Sequence, residues 1–144
     1  MPWKLTFVFC GVVAVVMLFI YVRAGDTITS IDVSCDNFTK QGGIVSQEIE
    51  VDVWSNFLIV SLCSNPTTGF QWELTELTDE AILIHESNEY VPSEAQEIAG
   101  APGQEVWTFR VFKAGACNIS MEYGRPWEGG TKTTWKYDMI VVAK

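Results

Sequence analysis

The chain has 144 residues, of which 48% are hydrophobic and 12% aromatic, and its formal net charge is −9. That is enough apolar material for one packed domain and excludes a disordered chain. Nucleic acid is excluded as a partner by the same count: beyond the first 24 residues, 7 basic side chains face 18 acidic ones, and phosphate binding needs a basic patch.

In chain order, Lys4 precedes an apolar run over residues 5–22, closed by Arg23, Ala24 and Gly25. Such a segment is an address rather than part of a domain. Val22 and Ala24 put small residues at the −3 and −1 positions of a signal-peptidase site, so residues 1–24 are expected to be a cleaved signal peptide before a domain over 25–144. At about 18 residues the run also reaches the minimum for a membrane span, and a retained signal anchor is the alternative. Either form enters the secretory pathway, to be secreted or held in a lysosome-like compartment, and meets a membrane only if the segment stays. Two short glycosylation patterns, at Asn37 and Asn118, fit that route, although such patterns also arise by chance.

Beyond Gly25 no stretch keeps helical apolar spacing, whereas alternation recurs. Strands are expected over residues 28–35, 48–53, 56–62, 71–77, 81–86, 105–112, 116–123 and 134–142. Turns are signalled at Gln41-Gly42-Gly43, Asn65-Pro66, Thr78-Asp79-Glu80, Lys113-Ala114-Gly115 and Glu128-Gly129-Gly130. Seven to eight short strands in such a length describe an all-β, immunoglobulin-like antiparallel β-sandwich. Trp107, Phe109 and Val111 would face its core from one strand, and Tyr137, Met139 and Val141 from the last. Residues 87–104 lack alternation and read as one long loop, of the kind that often carries function.

Cys10 falls in the address segment, leaving Cys35, Cys63 and Cys117, an odd number for an exported domain. Cys35 continues the face of Ile31 and Val33, and Cys117 that of Ile119, Met121 and Tyr123, while Cys63 is out of phase with Leu58, Val60 and Leu62. A Cys35–Cys117 bridge could form, but three small buried hydrophobes is the simpler reading.

Three loops are stiffened by composition. In Ser64-Asn65-Pro66-Thr67-Thr68-Gly69-Phe70, Pro66 fixes φ, the threonines are restricted at χ1 and Gly69 permits a positive φ. Gly100-Ala101-Pro102-Gly103 and Gly124-Arg125-Pro126-Trp127 repeat the device, the second with a cation and a large aromatic beside the proline. In an immunoglobulin-like order these are the loops between strands two and three, four and five, and six and seven. The first and third emerge at one end of the sandwich, where the second could reach them.

Asn-Pro-Thr-Thr-Gly-Phe, Gly-x-x-Gly and Arg-Pro-Trp, in this order, resemble the chagasin family, inhibitors of papain-like cysteine peptidases, over roughly residues 48–144. The resemblance implies a monomeric, reversible, competitive inhibitor, without cofactor or metal, whose loops form a wedge in the peptidase cleft. Asn65, Pro66, Thr67, Thr68 and Gly69 would cross the catalytic centre, with Thr67 nearest the nucleophilic cysteine and Phe70 anchoring the base. Gly100, Ala101, Pro102 and Gly103 would take the non-primed side, and Arg125, Pro126 and Trp127 the primed side. Pro102 stands where the family usually has glycine, which removes an N–H.

Other function classes find less in the residues. His85 is the sole histidine and sits in an apolar run, as a strand side chain. No Cys-x-x-Cys or other ligand spacing points to a metal. Glu94 and Glu97 lie in a polar loop as solvated charge, and Trp54, Trp72, Trp107 and Trp135 read as strand packing rather than a sugar platform. An adhesion or receptor ectodomain is the remaining alternative to an inhibitor, since the fold alone suits both.

Overall fold

The computed structural model describes residues 27–54, 57–94, 100–127, 129–130 and 133–144, so the expected leader lies outside the described residues. Among the described residues eight strands form: β1 (Ile28–Val33), β2 (Ile44–Val51), β3 (Phe57–Ser64), β4 (Gln71–Leu77), β5 (Leu83–Val91), β6 (Gly103–Val111), β7 (Gly115–Gly124) and β8 (Trp135–Ala143). They build two sheets, ordered β1-β3-β6-β5 and β2-β8-β7-β4. This is the expected sandwich, with the apolar sides of both sheets turned inward. Trp107, Phe109 and Val111 from β6 meet Tyr137, Met139 and Val141 from β8 in the buried core, as their alternation requires.

Three features depart from the expected pattern. The two N-terminal strands pair in parallel, β1 with β3 and β2 with β8, because the chain changes sheets between them. That crossing is made by a short helix, α1 (Cys35–Lys40), where a strand was expected to run through Cys35. Ser34 starts the helix: Asn37 Oδ1 accepts from the Ser34 backbone N–H at 2.9 Å and from its hydroxyl at 2.7 Å. At six residues α1 is too short to show a helical period, but it fully buries Phe38 between Trp72 and Trp135. In the third departure, β5 runs to Val91 and β6 begins at Gly103, so the long loop shrinks to residues 92–102. A register shift between His85 and Ser87 breaks the alternation that would have revealed the second half of β5.

The cysteines are arranged differently from either expectation. Cys35 is bonded to Cys63, and Cys117 is a free, buried thiol. Parallel register explains the pairing: Val33 lies opposite Leu62, so the chain entering α1 passes beside Cys63, with Cα atoms 5.1 Å apart. Cys117 belongs to the other sheet, paired to Val141. Trp54 is also displaced, since β2 ends at Val51 and leaves its ring 81% exposed on a turn.

Candidate functional site

The ladders bring the three stiff loops to one end of the sandwich. Ser64, the last residue of β3, pairs with Gly103, the first of β6. Gln71, the first residue of β4, pairs with Gly124, the last of β7. The first loop therefore shares one stem with the second and the other with the third. Strand register alone places it in the middle.

Asn65 joins the first loop to its neighbours. Its backbone N–H donates to the Tyr123 hydroxyl at 2.7 Å, and its side-chain Nδ2 donates to the Gly100 carbonyl at 2.8 Å. Its Oδ1 accepts from the Thr67 hydroxyl at 2.6 Å, while its carbonyl accepts from the Thr68 hydroxyl at 2.6 Å and the Thr68 N–H at 3.2 Å. Pro66, Thr67 and Thr68 form one exposed 3₁₀ turn, closed by Gly69 at φ +81°. The tip is thus an exposed turn braced from within by Asn65 and by the Gly69 N–H, which donates to the Pro66 carbonyl at 2.9 Å.

The third loop leans on the first. Arg125 Nε donates to the Thr68 carbonyl at 3.1 Å, and its guanidinium lies 4.6 Å from the centre of the Phe70 ring and 5.9 Å from that of Trp127. Trp127 covers Gly69 so closely that a Cβ there would stand 2.2 Å from its ring. Glycine is required at position 69 for that contact as well as for its φ. Trp127 remains 49% exposed, so a large aromatic face is held at the surface beside the turn.

In the second loop Gly100, Ala101 and Pro102 reach the same edge, and residues 95–99, with the expected Glu97, lie outside the described residues. Gly103 does not share that edge. It is a buried strand residue, where a Cβ would meet the Val91 carbonyl at 2.3 Å and the Tyr90 hydroxyl at 2.6 Å. Its glycine is demanded by packing behind the tip.

Beneath the loops lies a support that sequence reasoning passed over. Phe70 stacks on Tyr123 at 5.4 Å between ring centres, and Tyr123 contacts Trp72 and Trp135, each at 5.1 Å. Trp72 Nε1 donates to the Cys63 carbonyl at 3.0 Å, tying the far stem of the first loop to the near one. Aromatics spaced along β4, β7 and β8 were visible in the sequence, but their meeting depends on sheet order. His85, by contrast, sits on β5 against Trp107 and Phe109, at the strand position expected for it.

Residues 55–141 match the family described as Chagasin family peptidase inhibitor I42. The chain belongs to the chagasin family. Chagasin of Trypanosoma cruzi is 31% identical over 87 residues, covering 58% of this chain and 78% of that relative. Amoebiasin-2 of Entamoeba histolytica is 27% identical over 77 residues, 54% of this chain and 62% of its own. The solved cysteine protease inhibitor EhICP2, from Entamoeba histolytica, shares the fold at a TM-score of 0.58 and 17% identity, over 83% of this chain and all of that one. As a chagasin-family member the chain is a peptidase inhibitor and not an enzyme. The matched span holds all three loops and leaves β1, α1 and β2 outside it, so the Cys35–Cys63 bridge joins a segment beyond the match to the stem of the first loop.

Proposed function

We infer that this chagasin-family chain is a reversible, competitive inhibitor of papain-like cysteine peptidases, acting through a wedge made by the three loops. The observation that carries the reading is the continuous edge formed when Asn65 bonds to Gly100 and Arg125 bonds to Thr68. A peptidase cleft takes its substrate as extended chain. The 3₁₀ turn over Pro66–Thr68 fills such a slot without presenting an extended peptide bond for attack. Thr67, at the tip, faces the catalytic cysteine; Gly100, Ala101 and Pro102 line the non-primed side; Arg125, Pro126 and Trp127 line the primed side. Because proline, the positive-φ glycine and the hydrogen bonds of Asn65 restrict the loops beforehand, little freedom is lost on binding. Arginine and tryptophan are residue types common among interface hot spots, which suits Arg125 and Trp127 as the anchors beside the tip. The ectodomain alternative draws no support from family membership.

The proposal extends to export. The apolar run over residues 5–22 and the small residues before Gly25 support a leader, and a Cys35–Cys63 disulfide suits an oxidising compartment. Asn37 and Asn118 are both exposed, as glycan acceptors need to be.

The test is an assay of the purified protein against papain and, as a counter-screen, trypsin. Competitive slowing of papain by micromolar protein, with trypsin unaffected, is expected. Papain running at its full rate would overturn the reading.

A further inference from the structure

Behind the first loop sits a carboxylate that the wedge itself does not use. Glu105, on β6, is only 8% exposed. Its Oε2 accepts from the Ser64 hydroxyl at 3.3 Å and from the Trp72 backbone N–H at 3.3 Å. Ser64 closes β3 and Trp72 follows the first residue of β4, so the two donors flank the loop that carries Asn65 to Phe70. One carboxylate therefore spans the loop's two stems and, with them, the two sheets. The Asn88 side chain on β5 supplies a further hydrogen bond.

Among the described residues no cation pairs with this group. From β3 it meets Ser64 and its ladder partner Leu62, from β4 Trp72, and from β5 Asn88 and its ladder partner Tyr90; Tyr123 of β7 lies beyond the Trp72 ring. An unpaired buried charge is costly to folding, and a neutral side chain could fill the same space. What the charge provides is stronger hydrogen bonds to its two donors than a neutral acceptor would make.

We propose that Glu105 is a positioning residue of the inhibitor, its ionised carboxylate clamping the stems of the first loop so that the 3₁₀ turn meets the peptidase already in place. The inference rests on the inhibitor reading. It gives inhibition a pH dependence that belongs to the inhibitor. Burial holds the Glu105 carboxyl above the ordinary carboxylate range, with the hydrogen bonds from Trp72, Ser64 and Asn88 opposing that rise in part. As pH falls through this raised pKa the carboxylate takes a proton, and the clamp weakens to neutral strength. Folding stability moves the opposite way. The folded state binds the proton more readily than the unfolded state, so the penalty for the buried charge is present at neutral pH and relieved on acidification.

The experiment compares the purified protein with its Glu105→Gln and Ser64→Ala variants against papain, from pH 7 down to pH 4, with the thermal midpoint recorded alongside. At pH 7, Glu105→Gln is expected to weaken inhibition about ten-fold and Ser64→Ala about three-fold, chiefly through faster dissociation. The midpoint of Glu105→Gln should match or exceed that of the wild type, because the desolvated charge is gone. Taking the ratio of variant to wild-type inhibition constants cancels papain's own titration, and this ratio should fall toward one as the pH is lowered. A ratio near one throughout, or a loss of inhibition that only follows the folded fraction, overturns the proposal while leaving the inhibitor reading intact. If Glu105→Gln does not fold, Ser64→Ala decides by the same two readouts. If the wild type leaves papain untouched, the inhibitor reading falls. Hydrogen exchange at the Thr68 and Gly69 amides then decides the clamp: faster exchange in the variants supports it, and unchanged exchange overturns it.

Discussion

At the scale of single residues, Asn65 holds the first loop together and ties it to its neighbours, with bonds to Tyr123, Gly100, Thr67 and Thr68. Proline and glycine at positions 66 and 69 announce a stiff turn, but the asparagine beside them reads only as a turn former. In the structure its side chain directly links the first and second loops, through Nδ2 and the Gly100 carbonyl. Asn65→Asp replaces that donor with a carboxylate facing a carbonyl oxygen, and would bring a charge toward the peptidase's thiolate. Inhibition should weaken by about 1–3 kcal/mol, while the thermal midpoint moves little because the loop lies outside the core. Trp107→Ala supplies the contrast: its ring is 4% exposed in the core, so stability should drop by about 3–5 kcal/mol while the folded fraction still inhibits. Equal inhibition constants for Asn65→Asp and the wild type would show that the contact with Gly100 plays no part in binding.

At the scale of elements, what was legible in the sequence was what alternation can encode. The cores of β3, β4, β6, β7 and β8 lie where the apolar period places them, and the three loops fall between them in the expected order. Alternation says nothing about register or sheet partner, so the parallel pairing of β1 with β3 was hidden, and with it the partner of Cys35. The same blindness covers Glu105, an acid on an apolar face whose reason is visible only once Ser64 and Trp72 flank it. The bridge can be tested by its chain entropy. Closing a separation of 28 residues is worth about 3.6 kcal/mol in the loop-closure account, so Cys35→Ala combined with Cys63→Ala should lower the urea midpoint accordingly. Reductant should destabilise the wild type and Cys117→Ala alike and leave the double variant unmoved. A double variant that still responds to reductant would contradict the pairing.

At the scale of the molecule, the sandwich sets the three loops at one end and Ile28 and Ala143 at the other. Ile28 pairs with Phe57, at the start of β3, whereas the wedge follows Ser64 at the end of that strand, about 23 Å away at the usual rise per residue. Ala143 pairs with Gly115 at the start of β7, again at the opposite end from Gly124 and the third loop. A segment attached before Thr27 is therefore joined to the domain at the end opposite the three loops. This bears on the leader expected over residues 1–24. We expect cleavage after Ala24, checked by N-terminal sequencing of protein from the native cell; a retained apolar run would mean a tethered inhibitor instead. Inhibition should be indifferent to that outcome. Protein immobilised through a tag placed before residue 27, and protein immobilised through Lys144, should each bind papain within about three-fold of the free form, since neither attachment approaches the loops or alters their rigidity. If anchoring at either end abolished binding while the attached protein stayed folded, the edge built from Asn65, Arg125 and Trp127 would not be the surface the peptidase meets.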